Sequence, residues 1–67
     1  MEAMRVWDYC EDYDGHLILK DENGKELLNT IKTNGEMWFD QYGYEIVRVE
    51  SEIKKFGIVK LATLIVR

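Results

Sequence analysis

Apolar and polar positions trade places in short runs along most of this chain, and glycine-bearing turns separate the runs at Asp14-Gly15, Asn23-Gly24, Asn34-Gly35 and Phe56-Gly57. Short apolar-rich runs at this spacing read as an antiparallel β meander. The pattern predicts strands over 4–10, 16–21, 25–32, 36–39, 44–53 and 58–66. The fold class is mostly β, a five- or six-stranded antiparallel meander, barrel or SH3-like domain.

Charge selects among the turn types. An Asn-Gly loop closes either as a two-residue type I′ turn or as a three-residue loop whose last residue is a left-handed glycine in a bulge. With Glu22-Asn23-Gly24 as the longer loop, Asp21 faces Lys25, Lys20 faces Glu26, Leu19 faces Leu27 and Ile18 faces Leu28; the shorter loop sets Asp21 against Glu26. Opposite charges across a ladder stabilise by about 0.2–1 kcal/mol and like charges oppose it, which favours the longer loop. Applied to Tyr13-Asp14-Gly15, the same rule sets Asp12 opposite His16, Tyr9 opposite Leu19 and Asp8 opposite Lys20. At Thr33-Asn34-Gly35 it sets Lys32 opposite Glu36 and Ile31 opposite Met37, and at Lys55-Phe56-Gly57 it sets Ile53 opposite Val59 and Glu52 opposite Lys60.

Two segments carry more than one expectation. Ile46, Val49, Ile53 and Phe56 also fit a helical stripe with Gly57 as its cap, which would give an α+β fold with a helix at about 44–56. The β-branched Ile46, Val47, Val49 and Ile53, and the lack of an N-cap among Gly43, Tyr44 and Glu45, favour a strand. The run Leu61-Ala62-Thr63-Leu64-Ile65-Val66 has almost no polar alternation, so both of its faces call for cover. A closed barrel provides that within one chain; an open sheet would need a second chain at this edge.

Composition adds limits. The 67 residues, 46% hydrophobic, predict one small globular domain over 1–67. Cys10 is the single cysteine, no apolar run approaches a membrane span, and Met1-Glu2-Ala3-Met4 does not open a secretory signal, so the expected setting is a reducing cytoplasm. Charge is uneven: residues 1–45 hold 11 acids and 4 bases, a net of −7, whereas 46–67 hold 2 acids and 5 bases, a net of +3.

The acids concentrate at Asp8, Glu11, Asp12 and Asp14, interleaved with Trp7, Tyr9 and Tyr13. Asp12, Asp14, Gly15 and Asp21 half-fit a calcium loop that begins at Cys10, but a thiol is the wrong first ligand and Asp21 is too short for the closing bidentate carboxylate. No metal or cofactor is expected. The second concentration is Met37–Tyr44, with Trp38, Phe39, Tyr42 and Tyr44 among eight residues. Consecutive strand residues point to opposite faces, so Trp38 and Phe39 would not share one core.

These two segments supply the expected partner-binding residues: Asp8, Glu11, Asp12, Tyr13, Asp14, Trp38, Asp40, Tyr42 and Tyr44. Aromatic residues anchor interfaces, and the negative charge suits a basic partner. Base stacking on the same rings is disfavoured, because Lys32 is the nearest cation and the net charge is −4. A Cys10/His16/Asp12 grouping on one hairpin would lack oxyanion donors and a cleft, so no catalysis is expected. The chain thus reads as a small acidic interaction module, an inhibitor or adaptor that presents an acidic hairpin and an aromatic segment to a larger basic protein. Small acidic cytosolic proteins of phages and mobile elements offer an analogy of size and charge. The alternative is a structural or oligomerisation domain using its C-terminal strand to form a homo-oligomer; a nucleic-acid-binding small barrel fits less well.

Overall fold

The apolar C-terminal run finds its two covered faces in the middle of an open sheet. The computed structural model describes residues 3–67. In chain order the elements are α1 (Val6–Glu11), β1 (His16–Lys20), β2 (Glu26–Asn29), α2 (Phe39–Tyr42), β3 (Ile46–Lys55) and β4 (Ile58–Val66). The sheet order is β2-β1-β4-β3, with β4 antiparallel to β3 and parallel to β1. The protein is therefore mostly β, with four strands in a mixed sheet that does not close. The segment from Thr30 to Glu45, with α2 inside it, carries the chain from one edge of the sheet to the other.

Local chemistry explains which turns hold. At Glu22-Asn23-Gly24 the expected three-residue loop forms. Gly24 is left-handed at φ 88°, its N–H donates to the Asp21 carbonyl at 3.0 Å, and Lys20 faces Glu26. The Asp21 carboxylate also accepts from the Asn23 and Lys25 N–H groups at 2.8 and 2.9 Å, an Asx turn that fixes the loop. Leu27 of β2 is then left unpaired in a bulge, so Leu19 faces Leu28 and Ile18 faces Asn29, not Leu27 and Leu28.

The last hairpin is shorter than charge predicts. Phe56 and Gly57 both take positive φ, 55° and 78°, as a two-residue type I′ turn requires, and Lys55 faces Ile58. Lys60 is then absorbed in a bulge that pairs Ile53 with Leu61 and Glu52 with Ala62. The bulge joins apolar to apolar without the third loop residue, so the expected Ile53–Val59 and Glu52–Lys60 pairs are replaced.

Two expected strands are absent. Residues 6–11 are helical because Val6, Tyr9, Cys10 and Tyr13 fall at i, i+3, i+4 and i+7 and all pack against the core. Asp8 at the third helical position accepts the Arg5 N–H at 3.2 Å, as in a capping box. The cross-strand pairs Asp12–His16, Tyr9–Leu19 and Asp8–Lys20 therefore do not form, and the acidic segment is a helix and its exit loop, not a hairpin tip. Strand β2 stops at Asn29, whose Oδ1 accepts the Ile31 N–H at 3.0 Å. Residues 30–35 coil into turns closed by the Gly35 N–H on the Thr30 carbonyl at 2.7 Å, and no strand follows at 36–39. Lys32 pairs with Glu26 at 3.0 Å and not with Glu36, and the Ile31–Met37 pair is absent.

The segment 44–56 is a strand, β3, and the helix alternative falls away. The core lies on the sheet face beneath α1: Val6, Leu17, Leu19, Leu28, Ala62, Leu64 and Val66. Ile65 and Thr63 are buried on the opposite face. Thr30, also buried, binds β1 twice: its Oγ1 accepts the Leu17 N–H at 2.8 Å and its N–H donates to the Leu17 carbonyl at 2.9 Å. Strand β4 has a neighbour on each side, so it is not the exposed edge that an open sheet was expected to present. The edges are β2, only four residues long, and β3, whose ladder shifts register between Ile46 and Arg48, Val49 and Ser51, and Ile53 and Lys54. Short and bulged edges resist pairing with another chain. No described helix is long and apolar enough to cross a membrane.

Candidate interaction surface

Helix α2 is one turn long and depends on its ends. Trp38, the N-cap, donates its N–H to Gln41 Oε1 at 2.8 Å, and the Gln41 N–H returns to the Trp38 carbonyl at 3.0 Å. Gly43 closes the turn by donating to the Asp40 carbonyl at 3.2 Å. The helix joins α1 through the segment that follows it. The Val6 N–H donates to the Tyr44 carbonyl at 2.9 Å, the Ile46 N–H to the Met4 carbonyl at 2.8 Å, and Arg5 Nη1 to the Gly43 carbonyl at 3.1 Å.

This attachment brings Trp7 of α1 against Tyr42 of α2, edge to face, with ring centroids 5.6 Å apart and planes at 70°. Trp7, Phe39, Asp40, Tyr42, Gly43 and Tyr44 line an open concavity of about 630 Å³. A smaller depression beside it is lined by Trp7, Cys10, Glu11 and Tyr42. The rings are exposed to a degree unusual for their type: Trp7 57%, Trp38 74% and Phe39 90%. Strand alternation does not govern Trp38 and Phe39, because they open a helix at the sheet's margin, and both face outward.

Of the expected contact residues, Asp40, Tyr42 and Tyr44 converge in the concavity and Glu11 borders the neighbouring depression. Trp38 lies apart, with Glu36 and Met37 around it. Asp8 is committed to the Arg5 N–H, Asp12 caps the end of α1, and Asp14 is exposed on the loop to β1. Tyr13 turns inward: its ring lies 6.0 Å from that of Tyr9, and its hydroxyl is buried without a hydrogen-bond partner among the described residues. Trp7 and Phe39 complete the surface although neither is among the expected contacts. The aromatic density of 37–44 points to Phe39; for Trp7 the signal is its place on the same turns of α1 as Asp8 and Glu11.

Titration behaviour reinforces structure at the back of α1. Burial and the hydrogen bond to Glu52 push the Tyr9 phenol well above its usual range, and that 2.7 Å bond holds the Glu52 carboxyl below its own. Burial also pushes the Cys10 thiol up, which disfavours the nucleophilic thiolate. His16 meets Thr30 Oγ1 through Nδ1 at 3.2 Å, and among the described residues no hydrogen bond joins it to Asp12 or Cys10. Among the described residues no three His, Cys, Asp or Glu side chains converge on a possible metal position. No family model matches this chain, and neither a curated protein nor a solved structure shows significant similarity to it.

Proposed function

We propose that this protein is an interaction module that docks a larger, basic protein through the α1–α2 surface, as an inhibitor or adaptor in the cytoplasm. The observation that carries this is the exposure of Trp7 and Phe39 at one concavity, with the exposed Trp38 next to Phe39 in the chain, at the margin of a core built from Val6, Leu17, Leu19, Leu28, Leu64 and Val66. Large exposed rings with a concave centre have the composition of an interface hot spot. The net charge of −7 over residues 1–45 supports a basic partner. Self-association through β4 loses its rationale, because both sides of that strand are already paired.

The test is affinity capture from cytosol with the wild-type protein and a Trp38→Ala, Phe39→Ser double variant. The variant should keep the wild-type thermal midpoint to within a few degrees and lose a saturable, basic binding partner identified by mass spectrometry. Equal capture by both proteins would remove the α1–α2 surface from consideration.

A further inference from the structure

The walls of the concavity limit what can enter it. Trp7, Phe39, Tyr42 and Tyr44 supply aromatic rings, and Asp40 supplies the only charged side chain among the lining residues. Glu11 adds a second carboxylate in the adjoining depression. A purely apolar occupant would strip water from Asp40 without replacing it, and an acidic one would be repelled. A cation is served twice, by the negative ring faces and by the carboxylate. The chain's own Arg5 occupies this margin as a guanidinium, held through Nη1 on the carbonyl of Gly43, itself a lining residue.

We propose that the concavity receives an arginine side chain of the partner protein, its guanidinium lying against the Trp7–Tyr42 wall and paired with Asp40. This deepens the docking function proposed above and rests on it. Arginine suits the site better than lysine because the guanidinium is planar, weakly hydrated and able to stack while it bonds a carboxylate, whereas an ammonium is compact and strongly hydrated. The two rings, inclined at 70° with centroids 5.6 Å apart, form the corner against which a flat cation fits.

The experiment is a titration of the isotope-labelled full chain with acetyl-Gly-Arg-Gly-amide, followed by amide and indole N–H shifts. Matching peptides with citrulline or lysine in place of arginine serve as controls. The arginine peptide should shift the Trp7 indole and the Gly43 and Tyr44 amides in a saturable way. Citrulline, neutral and of the same shape, should bind roughly two- to fivefold more weakly, the range of an exposed cation–π contact. Asp40→Asn should weaken the arginine peptide by a similar factor and leave the spectrum of the core unchanged. Equal binding of citrulline or lysine, shifts confined to Asp12–Asp14, no saturable shift, or indifference to Asp40→Asn would each overturn the proposal. If capture fails in the Trp38→Ala, Phe39→Ser variant while arginine shows no advantage, the docking surface stands and its arginine occupant falls. If arginine binds as expected and capture is unaltered, the arginine site stands and the docking function falls.

Discussion

Leu64 and Phe39 are both large apolar side chains in regular elements, yet Leu64 is fully buried and Phe39 is 90% exposed. Leu64 sits in β4, between β1 and β3, with the core face of the sheet filled by Val6, Leu17, Leu19 and Val66. Phe39 opens a one-turn helix in the connection that crosses between the sheet edges. Hydropathy is therefore a poor guide to role in this molecule. Position relative to the two central strands separates residues that hold the fold from residues left exposed at its margin.

The most direct way to break this contrast is Leu64→Ala. Truncating a fully buried leucine removes about 2–5 kcal/mol, comparable to the whole stability of a domain of this size, so the variant should be largely unfolded in urea titrations followed by circular dichroism. A loss below about 1 kcal/mol would show that the β1–β4 centre is not where stability resides. Next comes Gly15→Ala, since an added Cβ would lie 2.5 Å from the Lys60 carbonyl oxygen and 2.8 Å from its Cα, both backbone atoms that cannot swing away. The loop must shift, and a loss of about 1–3 kcal/mol is expected in the same titration. Thr30→Val leaves the Leu17 N–H without its 2.8 Å acceptor in a buried setting, and should remove about 1–3 kcal/mol while speeding hydrogen exchange at Leu17.

A smaller effect sharpens the contrast along pH. Glu52 is held below the usual carboxylate range by Tyr9, Glu45 by Arg67, and Glu26 by Lys32. Groups with depressed folded values stabilise above the unfolded value of about 4.3, and that contribution is lost as pH falls through the folded values. Tyr9 is shifted the other way, so its contribution is complete below the unfolded value of about 10 and is lost as pH rises beyond it. Tyr9→Phe should flatten both limbs of a thermal-midpoint-against-pH curve; an unchanged acid limb would show that the Glu52 bond contributes nothing there. The smallest effect belongs to the margin. Phe39→Ser alone should alter stability by less than about 0.5 kcal/mol, and a larger loss would make Phe39 a part of the fold.

Much of the fold was legible where the signal is local. The Asn23-Gly24 loop with Lys20 opposite Glu26, and the strands near 44–53 and 58–66, follow from turn residues and β-branching that act within a few positions. That Asp40, Tyr42 and Tyr44 lie together in one concavity was foreshadowed by the aromatic crowding of 37–44, which exceeds what a short segment can bury. The first segment departs from the expected strand because Trp7 and Tyr9 suit a strand, while Val6, Tyr9, Cys10 and Tyr13 suit a helix equally well. The meeting of Trp7 with Tyr42 was not legible, since the two are 35 residues apart in the chain.

The amino-acid sequence by itself determined the Glu22-Asn23-Gly24 turn, the need to cover residues 61–66 on both faces, and the uneven charge of the two parts of the chain. Only the tertiary structure decided that β4 lies beside β1 in parallel, that 6–11 is a helix over the core, and that Trp7 meets Tyr42. The physical reason is range: glycine conformations and β-branching act through adjacent residues, whereas strand order is set by which surfaces can be buried together once the whole chain is closed.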